Sequence, residues 1–326
     1  MNVTIFGAGA VGGLMAARLA RQGCAVSVVA RGPVLEAIAA HGLRLMTETG
    51  IRTEMLRAES DPANIGPQDL VIIAVKATAL AELADQIAPL LGPDTIVVTA
   101  MNGVPWWFFD NPRVPHAGML LQSLDPNRRL AHAIPAQRIL GCVVHLSSSS
   151  PEPGVIQPGF GNRLILGEAC GGDSSRLAQV ATVLSEAGFE VEASADIRTE
   201  IWYKLWGNMT MNPLSAITGA TCDKVLDDPL VREFCLKAMH EAAAIGAEIG
   251  CAITQSGEDR MQLTRKLGAF KTSMLQDAEA GKLLELDALV GAVREIGRHV
   301  GIATPTIDSL FGLTRLFGRT HGIYPN

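Results

Sequence analysis

Aromatic side chains are scarce in this sequence, with two Tyr, four Trp and nine Phe among 326 residues. Charge is thin as well, at 18% Asp, Glu, Lys and Arg. There is no clustered run of Lys or Arg and the net charge is −6, so nucleic acid is not expected as a partner. The six cysteines, Cys24, Cys142, Cys170, Cys222, Cys235 and Cys251, form no C-x-x-C pair. They read as reduced thiols of a cytosolic protein, and no bound metal is expected. Apolar runs of membrane-spanning length without glycine breaks are missing, and the apolar amino terminus lacks the basic stretch of a signal peptide. The expectation is a cytoplasmic globular protein without membrane contact. Repeats and low-complexity linkers are absent too. What is present is 48% hydrophobic residues over a length that suggests two well-packed domains.

The segment "VTIFGAGAVGGLMAARLARQG" reads as strand, glycine-rich turn and helix, followed by a second strand over residues 25–30. Gly7, Gly9 and Gly12 make G-x-G-x-x-G inside a βαβ unit, a far more specific signal than the motif alone. Gly7 permits a tight turn, Gly9 lets backbone approach a pyrophosphate, and Gly12 lets helix and strand pack closely. The stretch Gly7, Ala8, Gly9, Ala10, Val11 and Gly12 is therefore the candidate cofactor-phosphate site, with free N–H groups at the helix start facing the ligand. The second strand lacks the acidic residue at its end that would hold the ribose hydroxyl of NAD. Arg31 stands there instead, which suits the 2′-phosphate of NADP. "DLVIIAVKA" and "TIVVTAMNGV" read as buried parallel strands, and Lys76 and Asn102 sit at their carboxyl ends, where ligands bind in such sheets. The competing role is a simple turn for Asn102-Gly103 and a surface loop cation for Lys76.

From residue 138 to 168 the pattern turns to short strands separated by Gly and Pro, expected to extend the sheet in antiparallel fashion. After residue 195 the strand signal stops, and helices are expected over 197–212, 229–250, 256–278 and 283–300. We place an N-terminal Rossmann-like dinucleotide-binding domain with added antiparallel strands at 1–195, and an all-helical substrate-binding domain at 196–326. The first of those helices is apolar nearly all round, yet carries Lys204, Asn208 and Asn212 at four-residue spacing on one face. Either this stripe is the helix's solvent face, or it is a pocket wall bearing one cation and two amides.

On these residues the chain resembles the ketopantoate reductase (2-dehydropantoate 2-reductase) family over both domains. The carriers are "GAGAVGG", Arg31, "VKA" at Lys76, "NG" at Asn102, "RTEIWYKLWGNMTMNPLSAITG" and "TSMLQDAEAGKLLELDALVG". The two C-terminal stretches are the specific ones. The resemblance implies NADPH-dependent reduction of 2-dehydropantoate to (R)-pantoate, on the way to pantothenate and coenzyme A. It implies Lys204 as catalytic lysine and Glu285 as the carboxylate facing the substrate hydroxyl. Asn208 and Asn212 would line the substrate site and Ser273 would hold the substrate carboxylate, with Lys76 and Asn102 near the nicotinamide. The residue types suit the chemistry, since an ammonium stabilises charge developing on a ketone oxygen and can deliver a proton. The partner implied is a small 2-oxo acid, and a homodimer is the candidate assembly.

Three departures bear on the substrate. Trp106, Trp107, Phe108 and Phe109 follow the Asn102 turn directly, either as core packing or as part of a reshaped pocket. Phe270 stands three residues before Ser273 where the family has a polar residue, and Leu284 precedes Glu285 where it often has Thr. A reductase of another 2-oxo acid is the alternative enzyme. A non-catalytic NADP(H) sensor is the alternative outside enzymes, and it has no need of both Lys204 and Glu285.

Overall fold

Residues 3–6 are buried on both faces of the strand, Thr4 included, as a strand covered on both sides must be. In the computed structural model, which describes residues 1–325, residues 2–6 form β1 (Asn2–Phe6) in the interior of an eight-stranded sheet. The chain continues through α1 (Ala10–Arg21), β2 (Ala25–Val29), α2 (Gly32–His41), β3 (Leu43–Thr47), β4 (Gly50–Glu54), β5 (Arg57–Glu59), β6 (Gln68–Ile73), α3 (Leu80–Gln86) and β7 (Leu91–Thr99). After a long excursion it returns as α4 (Arg129–Ala133), β8 (Ile139–His145), β9 (Ser148–Ser149), β10 (Val155–Pro158), β11 (Arg163–Glu168), α5 (Ser175–Glu186) and β12 (Glu190–Ala193).

The large sheet runs β12-β11-β8-β7-β6-β1-β2-β5. Its pairs are parallel except β8 with β11, where Ile165 faces Val143. The order reverses beside β1, whose Val3 pairs with Val26 of β2 on one side and Leu70 of β6 on the other. Val3, Ile5, Val28, Leu70 and Ile72 are fully buried against Leu14, Met15 and Leu19 of α1. This is the Rossmann-like sheet expected, with one correction. The segment around "GVIQP" does not extend it. As β10 it pairs with β3 in a separate four-stranded sheet, β4-β3-β10-β9, where Ile156 packs so close to Gly13 that a Cβ there would lie 2.5 Å from it. The short strands β3 to β5 escape the sequence pattern because β4 is exposed along nearly its whole length and shows no alternation.

Two compact units divide the chain. One holds Met1–Met101 and Arg128–Ile197, and the other Asn102–Asn127 and the residues from Arg198 onward. The single cut expected between residues 195 and 196 differs from this at the excursion 102–127, which groups with the helices. The aromatic run explains why. Trp106, Trp107, Phe108 and Phe109 are buried, and Phe108 lies 6.1 Å from Trp202 between ring centroids. Arg198, 1% exposed, stacks over Phe108 and donates from Nε to the Phe108 carbonyl at 2.7 Å and from Nη2 to the Ile249 carbonyl at 3.0 Å. Of the two roles open to these four aromatics, core packing is the one found.

The helical unit comprises α6 (Ile197–Thr218), α7 (Cys222–Asp227), α8 (Pro229–Glu248), α9 (Gly257–Arg265), α10 (Ser273–Glu279), a π turn at Asp287–Gly291, α11 (Ala292–Val300) and α12 (Pro305–Thr320). α6 runs past Pro213, because buried Met209, Leu214, Ser215 and Ala216 hold it together across the one lost backbone bond. The expected helix 256–278 is two helices. Gly268 takes φ +63°, outside helical geometry, and Thr272 caps α10 by accepting the Leu275 N–H at 3.2 Å. α12 was not among the helices expected. No helix among the described residues is long and apolar enough to cross a membrane.

Candidate active site

In the sheet unit, the reversal of strand order beside β1 opens a crevice at the carboxyl ends of β1 and β6, where α1 begins. Gly7 adopts φ +102°, and a Cβ there would stand 2.6 Å from Val75. A Cβ at Gly12 would lie 2.0 Å from the Gly7 carbonyl oxygen, so strand and helix touch at a distance only glycine allows. Gly9, the residue before the helix, is exposed, and a Cβ there would meet nothing within 4 Å. Ala8 is buried, while Ala10 and Val11 form a half-buried first helical turn without an acidic side chain. The initial N–H groups of α1 have no partner inside the helix and open onto this space. The cradle fits the pyrophosphate of a dinucleotide.

Arg31 follows β2 and begins α2 from its N-cap position. Its guanidinium reaches α3, 2.5 Å from Glu82 and 3.0 Å from the Gln86 side-chain oxygen. Both members of the ion pair are about half exposed, so the pair is weak and a phosphate can replace Glu82. Lys76 lies just past β6, half-buried, capping a short 3-10 turn at Ala77–Ala79.

In the helical unit, three stretches distant in sequence meet. Lys204 donates from Nζ to Oδ1 of Asn102 at 2.8 Å. The Asn102 turn is in turn docked on the π turn. The Val104 N–H donates to the Ala288 carbonyl at 2.9 Å, and at Gly103 (φ +82°) a Cβ would stand 2.5 Å from the same oxygen. Glu285, half-buried, is the third residue before Ala288. Asn102, placed by sequence near the cofactor, is thus also the hydrogen-bond partner of Lys204. That pairing spans 102 residues and leaves no local signature.

α6 presents its stripe into this region. Trp202, Leu205, Trp206, Met209 and Met211 are buried around it, and the Trp206 indole N–H donates to the Met239 carbonyl at 2.7 Å. Lys204 and Asn208 are half-buried and Asn212 is 5% exposed, so the stripe is not a solvent face. Neither amide side chain is hydrogen-bonded among the described residues, which leaves both for a ligand. Ser273 is exposed at the first turn of α10 and is not drawn into the Lys204–Asn102 pair. Sequence reasoning passed over Arg260 of α9, whose guanidinium covers Gly207 of α6. A single Arg in a polar helix carries no spacing signal.

Two family models match the chain: "Ketopantoate reductase PanE/ApbA" over residues 3–170 and "Ketopantoate reductase PanE/ApbA C terminal" over residues 196–317. A 2-dehydropantoate 2-reductase of Mesorhizobium japonicum is 43% identical, covering 99% of this chain and 100% of its own. Among solved structures, a Ralstonia solanacearum MolK2 protein assigned as a ketopantoate reductase is 57% identical, with a TM-score of 0.95 and 99% of both chains covered. A 2-dehydropantoate 2-reductase of Geobacter metallireducens GS-15 is 29% identical, with a TM-score of 0.85 over 97% of this chain and 100% of that one.

Proposed function

The chain belongs to the ketopantoate reductase family, and we propose that it reduces 2-dehydropantoate to (R)-pantoate with NADPH, in the route to pantothenate and coenzyme A. Membership makes it an oxidoreductase with a nicotinamide cofactor. The observation that carries the finer reading is the Lys204–Asn102 pair held against the segment of Glu285.

In this reading a bound nicotinamide supplies the hydride that adds to the C2 ketone. The Asn102 side-chain oxygen accepts a hydrogen bond from the Lys204 ammonium and orients it for the ketone oxygen. As negative charge grows on that oxygen, the ammonium stabilises it and delivers the proton that completes the hydroxyl. The free amides of Asn208 and Asn212 hold substrate oxygens without adding charge. The Glu285 carboxylate accepts from a substrate hydroxyl and orients it. Asn208→Ala is expected to raise KM about tenfold with kcat nearly unchanged, because an amide that binds ground and transition states alike affects only uniform binding. Steady-state kinetics check this, and an equal fall in kcat would give Asn208 a transition-state role.

The cofactor choice rests on Arg31. Displacing Glu82 from the guanidinium by the 2′-phosphate exchanges a half-exposed pair for a doubly charged one. NADPH should bind roughly ten- to a hundredfold more tightly than NADH, and Arg31→Ala should remove most of that ratio. Fluorescence titration with both cofactors measures it, and equal wild-type affinities would reject NADPH.

One observation favours a second reading, a different 2-oxo acid. Phe270, half-buried just before α10, stands where the family resemblance leads one to expect a polar side chain. Oxidation of NADPH at 340 nm with 2-dehydropantoate and a panel of 2-oxo acids, compared by kcat/KM, decides between the two. The proposal requires 2-dehydropantoate to rank first.

A further inference from the structure

Glu285 stands on irregular backbone. Residues 282–285 belong to no helix or strand, and the π turn at Asp287–Gly291 begins two residues further on. A π turn is a rare element, kept mostly at functional sites. A side chain leaving such a stretch is aimed only as firmly as its neighbours are pinned.

The pins come from the segment that follows α12. Gly322 takes φ +68° and the Ile323 N–H donates to the Gly318 carbonyl at 2.8 Å, so the chain folds back along the helix it has just left. Ile323 is 3% exposed, and its carbonyl accepts the Leu284 N–H at 3.0 Å. Tyr324 then donates its hydroxyl to Oδ1 of Asp287 at 2.7 Å. One returning segment thus holds the residue just before Glu285 and the residue two after it. Glycine at position 318 is what lets the ring lie there, since a Cβ on it would stand 2.6 Å from the Tyr324 Cβ. Burial, and then the neighbouring Asp287, push the Tyr324 phenol above its ordinary range, so it remains a donor at neutral pH. The stretch so gripped is also the one on which the Asn102 turn docks, through the Val104 N–H and the Ala288 carbonyl.

We propose that Tyr324 is a positioning residue for Glu285, acting through Asp287 to set the preference for 2-oxo acids that carry a hydroxyl. This rests on the reading of Glu285 as the acceptor for a substrate hydroxyl and goes beyond it. Tyr324 touches neither substrate nor cofactor. A hydroxyl–carboxylate hydrogen bond weakens steeply once its distance and angle stray. Loss of one pin therefore shows in that contact before it shows in the ketone chemistry at Lys204.

The test compares 2-dehydropantoate with 3,3-dimethyl-2-oxobutanoate, the same acid with methyl in place of hydroxymethyl. Steady-state kinetics with NADPH give the kcat/KM ratio of the two acids in wild type, Tyr324→Phe, Asp287→Ala and the double variant. Hydrogen exchange read by mass spectrometry follows residues 284–291 in the same proteins. Tyr324→Phe should cut the ratio about tenfold, the effect of one hydrogen bond, while turnover of the deoxy acid stays within about twofold. Amide exchange over 284–291 should quicken about tenfold. Asp287→Ala should do the same, and the double variant should lose no more than either alone, since both remove one bond. Unchanged exchange in Tyr324→Phe would show that the stretch is held without the phenol, and overturns the proposal. An unchanged ratio despite faster exchange, equal losses on both acids with a lower Tm, or additive losses in the double variant each assign Tyr324 to stability and overturn it as well. Wild type that reduces no 2-oxo acid removes the reductase reading instead. Exchange then decides alone: quickened, it keeps the Tyr324–Asp287 hold on the stretch, and unchanged, it removes both.

Discussion

Lys204→Ala is expected to lower kcat by about two to three decades, the size of loss seen when one oxyanion donor is removed. The ammonium acts where charge develops, so its loss weighs on the transition state and little on ground-state binding. KM should move less than tenfold. Cofactor affinity should hardly change, because the phosphate cradle is built from α1 and β1 in the other unit. Stability should also hold. The substitution leaves the Asn102 carbonyl oxygen without its donor, yet relieves the partial burial of a cation, and the two effects oppose one another. Single-turnover kinetics beside thermal melts separate these contributions. A variant that melts normally and turns over at the wild-type rate would remove Lys204 from the chemistry.

Gly12→Val is expected to abolish cofactor binding. Even a single Cβ at this position meets the Gly7 carbonyl oxygen at 2.0 Å and the Ala74 Cβ at 2.9 Å. Both neighbours are strand-end backbone or a Cβ fixed on it, so no rotamer gives relief. Either α1 tilts away from β1, carrying its first N–H groups off the phosphates, or the strand end distorts. Overpacking of this kind costs about 3 kcal/mol. Loss of aligned charge-assisted hydrogen bonds should weaken NADPH roughly 100-fold or more. Equilibrium titration with NADPH checks the binding, and a chemical denaturation curve checks the fold. Near-normal affinity would mean that the pyrophosphate does not rest on this turn.

What could be read from sequence depended on how local the causes were. The cradle was legible because Gly7, Gly9 and Gly12 act through their own backbone within one turn of chain. The α6 stripe was legible because a cation and two amides at four-residue spacing stand out on an apolar helix. Ser273 and Glu285 came from resemblance, since neither has a local pattern of its own. Asn102 was noticed for its strand end, but its bond to Lys204 is a matter of tertiary packing. The break between α9 and α10 was missed because one glycine at +63° decides it within a continuous helical pattern. The second sheet was missed because its strands are short and one is exposed throughout.

The aromatic run that anchors residues 102–127 among the helices has a consequence for synthesis on the ribosome. Phe108 precedes its partner Arg198 by 90 residues. At ordinary translation rates that interval lasts roughly 5–20 s. For that time the nascent chain carries Trp106, Trp107, Phe108 and Phe109 with nothing to cover them, even after the strands on either side have been made. A run of four aromatic side chains is therefore left uncovered until α6 begins to emerge. A holdase that grips aromatic peptides would find its target here during elongation, and release would coincide with the emergence of α6.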